Sequence, residues 1–167
     1  VAWLALIGVL ASAGLPPLNG FVSEWLLLQS FLFTPEVPHG YLNMLLPVFA
    51  GAIALIAALA GFTMVKFFGI IFLGQPREEK LAQAHDASRL SRLGLLWLAV
   101  GCVLLGLVPN AIIALIEPVV HSLIGVALPE AHAGNWLFLA PFSAERASYS
   151  PLIFFGGIAV LTLAAWL

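Results

Sequence analysis

Of the chain's 167 residues, 62% are hydrophobic and only 8% charged, far from the roughly 25% charged residues of soluble domains, and the mean hydropathy is +1.10. A net charge of −2, with the charges confined to a few loops, leaves no basic surface for nucleic acid. The single Cys102 sits in an apolar run, reads as a small buried packing residue, and excludes an internal disulfide.

These properties describe an integral membrane protein. The expected fold is all-α, a polytopic transmembrane helical bundle with one discontinuous helix and one interfacial amphipathic helix. The chain opens at Val1 without a basic flank or a small-residue cleavage site, so no signal peptide is read there. Both ends fall in apolar sequence, which reads as a single membrane domain (residues 1–167) that is a piece of something longer.

Val1 to Ala13 and Phe21 to Phe33 are apolar. Each is about 13 residues, or roughly 20 Å of helix, too short alone for a hydrocarbon core of about 30 Å. Between them stand Gly14, Pro16, Pro17, Asn19 and Gly20. The prolines remove backbone donors and clash with the preceding turn, and the glycines permit the dihedrals of a chain reversal. Joined across that interruption, residues 1–33 make one broken span. Unpaired backbone is tolerated at membrane depth only where protein or a water-filled cavity satisfies it, so broken helices mark transport pathways.

Thr34 to Gly40 is a turn-rich loop, and residues 41–73 form a long apolar span with Pro47 tolerated in its first turns. Residues 74–92 hold Arg77, Lys80, Arg89 and Arg92, four of the six basic residues, and the positive-inside rule puts this loop in the cytoplasm. Residues 93–108 return as another span. Residues 110–128 carry Ile112, Ile113, Ile116, Val119, Val120, Leu123 and Ile124 at helical spacing, opposite Glu117, His121 and Ser122, and Pro118 bends or restarts that helix. This segment is read as an interfacial helix. Residues 129–148 form an external loop, anchored at the headgroups by Trp136 and Phe138, and 149–167 make the last span.

Glu24 follows the interruption, in the first turn or so of the resumed helix, where the macrodipole and free amides favour an anion. It lies about nine residues, roughly 14 Å, from the outer end of its half-helix, too deep for a short side chain to reach the interface. An ionised acid at such depth costs about 2.5–3.5 kcal/mol on insertion scales. A carboxyl group poised there loads and unloads a proton. The competing reading is a structural acid capping freed backbone donors.

Lys66 is a second intramembrane charge, either snorkelling to the headgroups or serving a charge relay with Glu24. Glu117 and His121, four apart, share a helix face and suit either a proton exit or a hydrated interface. Asn19 and Ser23 flank the break and suit water binding, a bond to Glu24, or capping. His39, His85 and His132 read as solvated loop residues, with His39 near an outer exit as the alternative. No phosphate loop, cysteine motif or nucleophile constellation appears, so no metal site or cofactor is expected in this chain.

The stretch Leu15-Pro16-Pro17-Leu18-Asn19-Gly20-Phe21-Val22-Ser23-Glu24-Trp25 resembles the second broken helix of the antiporter-like membrane subunits of respiratory complex I, Mrp-type cation/proton antiporters and membrane-bound hydrogenases. With Phe72-Leu73-Gly74-Gln75-Pro76-Arg77, it is most similar to the large membrane subunit of the formate hydrogenlyase type. The resemblance covers nearly the whole chain and implies the C-terminal third of such a subunit. It implies a proton-translocating role in a redox-driven complex of the formate hydrogenlyase/hydrogenase or NADH:quinone oxidoreductase type. Its partners would be the bilayer, other antiporter-like subunits, and peripheral iron-sulfur, nickel-iron hydrogenase or quinone-reducing subunits. The location implied is the inner (plasma) membrane.

By this resemblance Glu24 is the ionisable residue of the broken helix. Many relatives have lysine there, so the sign of its charge departs from the commoner type. Two alternatives stand beside this reading: an Mrp-type Na+/H+ antiporter subunit, and a scaffold with a vestigial channel.

Overall fold

A computed structural model describes residues 1–33, 39–75, 85–125, 138–139 and 148–166. Residues 76–84 of the charged loop, Trp136, His132 and nearly all of the segment read as an external loop lie outside the described residues. Among the described residues six helices follow in order: α1 (Ala2–Ser12), α2 (Asn19–Leu32), α3 (Gly40–Phe72), α4 (Arg89–Leu107), α5 (Pro109–Ile124) and α6 (Pro151–Trp166). Among the described residues the only extended pairing is a single antiparallel bridge between Leu139 and Tyr149. The all-helical expectation holds, and two helices, α3 and α4, are long and apolar enough to cross a membrane.

The interruption after α1 has a defined physical form. Gly14 takes a left-handed conformation, φ 66°. Its N–H donates to the carbonyl of Ala11 at 3.2 Å, and the N–H of Leu15 donates to that of Leu10 at 3.1 Å. This is the Schellman ending, in which a left-handed glycine lets two amides turn back onto the last free carbonyls. Pro16 and Pro17, joined by a cis peptide, follow at once. Neither can donate to a helical ladder, so the chain resumes only at Asn19. Much of the carbonyl end of α1 is thereby satisfied internally, while no side chain caps the amides that open α2.

α1 and α2 lie end to end along α3, which runs the opposite way. Ala5, Gly8, Val9 and Ser12 face Thr63, Met64 and Phe67. Phe21, Glu24, Trp25 and Leu28 face Ile53, Ala54 and Ala57, and Phe31 meets Phe49 at 6.1 Å between ring centroids. α4 runs parallel to α1, with Leu4 and Ile7 beside Leu96, Ala99, Val100 and Val103.

At its far end α4 reaches the break itself. A side-chain carbon at Gly106 would collide with the Pro17 carbonyl and the Leu18 backbone. Only glycine permits that approach of two backbones.

The start of α4 is set by Ser88, whose hydroxyl accepts from the Ser91 amide at 3.3 Å as a side-chain cap. Just before it, the Ala87 amide donates to Asp86 at 3.0 Å, and that bond holds the exposed Asp86 carboxyl below its ordinary value. Pro109 opens α5, where a missing donor costs nothing. Asn110 donates from Nδ2 to the Phe138 carbonyl at 3.1 Å, tying the α4–α5 turn to the bridge segment.

A small core closes this end of the molecule. Val22, Leu139 and Tyr149 are buried together, with Phe21, Trp25, Leu26 and Ile113 packed around them. The Tyr149 ring lies 5.0 Å from Phe21, 5.8 Å from Trp25 and 5.4 Å from Phe154, tilted arrangements that suit the ring quadrupoles. Tyr149 thus ends the bridge segment buried against α2, and α6 itself begins two residues later, at Pro151.

Candidate functional site: a carboxyl group at an interrupted helix

Glu24 sits in the second turn of α2, one turn further from the break than the first-turn placement read from sequence. Its backbone therefore belongs to the regular helix, and only its side chain returns to the interruption. That return is explicit: the carboxylate lies against Gly14, where an added Cβ would overlap Oε2. Gly14 thus serves twice, by its left-handed turn and by the notch its missing side chain leaves.

Depth follows from the register with α3. Glu24 lies beside Ala54 and Ala57, some 15 residues from either end of a 33-residue helix, or roughly 22 Å at 1.5 Å per residue. The cavity it shares with Phe21, Trp25, Leu28, Ile53, Ala54 and Ala57 has a volume of about 130 Å³. Among the described residues the other lining side chains are apolar but for the Trp25 indole N–H, so the carboxyl is the cavity's one ionisable wall.

The polar residues beside it do not bond to it. Ser23 donates to the Gly20 carbonyl at 2.8 Å. Asn19 lies within α2, its Oδ1 buried without a partner. Among the described residues the Glu24 carboxylate has no hydrogen bond or ion pair, so the capping role weighed in the sequence has no donor there.

Lys66 is exposed, with its ammonium 4.7 Å from the centre of the Phe62 ring on its own helix, a cation–π contact along α3. It does not pair with Glu24 among the described residues. Thr63, Met64 and Phe67 face α1, and Lys66, about 60° round the helix from Thr63 and about 100° from Phe67, lies at the exposed edge of that face.

Glu117 is half-buried and His121 exposed on α5. Ile113, Glu117 and Val120, at helical spacing, form the half-buried side, while Ile112, Leu115, Ile116, Val119 and Leu123 are exposed. The apolar stripe read from sequence is thus divided: Ile113 and Val120 share the half-buried side with Glu117, and Ile112, Ile116, Val119, Leu123 and Ile124 are exposed. His39 stacks edge-on against Tyr41 at 5.5 Å, and His85 is exposed. Among the described residues no group of three or more His, Cys, Asp or Glu is placed to hold a metal ion.

Several contributors were not singled out from the sequence. Gly106 seats α4 on the break, and Tyr149 covers the far side of α2. Gln29 is only 8% exposed and its Oε1 has no partner. A usable signal existed for α3: Ala50, Ala54, Ala57 and Gly61 recur at spacings of four, three and four, the small-residue stripe of close membrane-helix packing.

No protein-family model matches the chain, and no solved structure matches it. Curated proteins do. It is 39% identical over 101 residues to formate hydrogenlyase subunit 3 of Escherichia coli (strain K12), covering 60% of this chain and 17% of that protein. It is 32% identical over 136 residues to hydrogenase-4 component B of the same organism, covering 81% of this chain and 20% of that protein. It is 37% identical over 127 residues to Na(+)/H(+) antiporter subunit A1 of Staphylococcus saprophyticus, covering 72% of this chain and 15% of that protein. The chain spans about a fifth or less of the length of these relatives.

Proposed function

Because this chain belongs to the antiporter-like membrane subunits of formate hydrogenlyase, hydrogenase and Mrp antiporter type, we propose that it is part of a proton-translocating subunit of a redox-driven membrane complex. In this reading α1, the break and α2 form one discontinuous span, α3, α4 and α6 cross the bilayer, and α5 lies at the outer interface. The loop between α3 and α4 faces the cytoplasm across the plasma membrane.

One observation carries the reading: a lone carboxyl group placed at an interrupted helix, level with the middle of α3, against a glycine notch and beside an apolar cavity. An ionised carboxylate held there without a fixed counter-charge responds to any change of charge nearby. Redox chemistry in peripheral subunits, passed on through neighbouring membrane subunits, alters the free energy of loading the site. Glu24 takes a proton from one aqueous side and yields it to the other when the neighbouring charge resets. Lys66, exposed on α3, contributes its charge to a neighbouring segment, and Glu117, on the half-buried side of α5, lies on the exit side.

The test is Glu24→Gln in the complete membrane complex. Redox-driven acidification of vesicles is expected to fall at least tenfold while the complex assembles and its redox activity persists. Unchanged acidification overturns the reading.

A second reading, a Na+/H+ antiporter subunit, is favoured by the similarity to antiporter subunit A1. It requires sodium-dependent proton flux in the absence of any redox substrate. A scaffold with a vestigial channel is the reading left if Glu24→Gln pumps normally.

A further inference from the structure

The Glu24 carboxyl occupies the notch over Gly14, yet the same side chain also lines the cavity between α2 and α3. That cavity, about 130 Å³, is open, several times the roughly 10–15 Å³ that one water needs. It has room for the end of a glutamate side chain. We propose that Glu24 has two seats, the Gly14 notch and this cavity, and that Ala54 and Ala57 of α3 are the positioning residues that keep the second seat open. This rests on Glu24 being the proton carrier.

The two seats differ in what they accept. The notch adjoins the break at the amino-terminal end of α2, where the positive end of the helix dipole suits an ionised carboxylate. The cavity offers Phe21, Trp25, Leu28, Ile53, Ala54 and Ala57, and among these described residues the Trp25 indole N–H is the single side-chain donor, a neutral one. An ionised carboxylate is strongly disfavoured there, whereas a protonated one is tolerated.

Helical side chains use two staggered χ1 wells, so the exchange needs no movement of the backbone. Protonation and position are therefore linked. A hydronium ion on the aqueous side gives a proton to the carboxylate in the notch: its O–H bond breaks, the carboxyl O–H bond forms, and water is left. The neutral acid moves into the cavity, toward Leu28 and the far end of α2. The O–H bond breaks when the proton passes to water on that side, and the carboxylate returns. No electron is exchanged in this cycle.

Among the described residues no other titratable group lines the cavity, and Tyr149, which packs on Phe21 and Trp25, is not among its lining residues. α1 has no titratable side chain. α3 carries Tyr41 and Lys66, and α4 carries Arg89, Arg92 and Cys102. None of these lines the cavity.

Small residues are what the second seat requires. Alanine at both positions leaves the volume free, and a larger side chain at either fills it while leaving Gly14 and Glu24 untouched.

The experiment uses the complete complex in vesicles. Ala57→Leu and Ala54→Val are expected to lower proton flux at least tenfold and at least threefold, with redox activity retained, and Ala57→Ser is expected to rescue flux relative to Ala57→Leu. Infrared difference spectra supply a readout that a merely structural role leaves alone. The protonated-carboxyl band assigned by its absence in Glu24→Gln should lose its non-hydrogen-bonded component in Ala57→Leu.

Wild-type flux and an unchanged band in both alanine variants, with Glu24→Gln still inactive, overturn the two seats and spare the proton carrier. Normal flux in Glu24→Gln overturns both. Should Ala57→Leu fail to assemble, the wild-type spectrum decides, because a Glu24 band with no non-hydrogen-bonded component at any pH overturns the second seat.

Discussion

On the side of α2 that meets α4 and the Leu139–Tyr149 bridge, backbone touches backbone at Gly106 and Pro17, and the buried Val22 and Tyr149 are ringed by aromatic and aliphatic neighbours. On the side that meets α3, alanines face a glutamate across an open cavity. One short helix thus has a closed flank and a loose one. A helix interrupted by two prolines has few ladder bonds holding its halves in line, so the closed flank supplies the alignment. The loose flank leaves the carboxyl free to respond to charge. In the proposed reading the site needs both, a rigid frame and a group inside it that can change state.

Substitutions on the closed flank test this contrast through stability. Tyr149→Ala should have the largest effect, because it removes the ring shared by Phe21, Trp25 and Phe154. A loss of about 3 kcal/mol is expected, at the low end for truncating a buried aromatic, read as a lowered melting temperature in detergent. Gly106→Ala follows, at about 2 kcal/mol, since the new methyl meets the Pro17 carbonyl and forces α4 away from the break. Its proton flux should fall in step with stability, and an unchanged melting temperature would show that α4 does not brace the break.

Tyr149→Phe is expected to do least. The hydroxyl is buried without a partner, and removing an unsatisfied polar group is nearly neutral or slightly stabilising. A change within about 0.5 kcal/mol in either direction fits that account. A marked loss would mean that the phenol bonds to something outside the described residues, and the closed flank would then be polar as well as packed.

The sequence was most informative where chemistry is local. Gly14, Pro16 and Pro17 announced the interruption, and the chain does stop being helical at Ser12 and resume at Asn19. The apolar run from Tyr41 became the longest helix. Glu24 stood out as the single acid in that region.

The site around Glu24 was less legible. That its carboxylate returns to Gly14, ten positions back, depends on how the chain folds through the two prolines. That Lys66 is exposed beside Phe62, and that Glu117 shares the half-buried side of α5 with Ile113 and Val120 while the rest of the apolar stripe is exposed, depend on which helix each one packs against. Amphipathic patterning assumes water outside and an apolar interior, and in lipid that assumption can invert.

By itself, then, the amino-acid order determined the membrane setting, the helical segments, the point of interruption and the one acid beside it, because hydropathy and backbone sterics act over a few neighbouring residues. Only the tertiary structure decided which side of α2 is braced and which is open. Gly106 reaches the break and Tyr149 reaches α2 from more than 80 positions away, and contacts between distant segments are set by the shapes that meet in space, which no local pattern encodes.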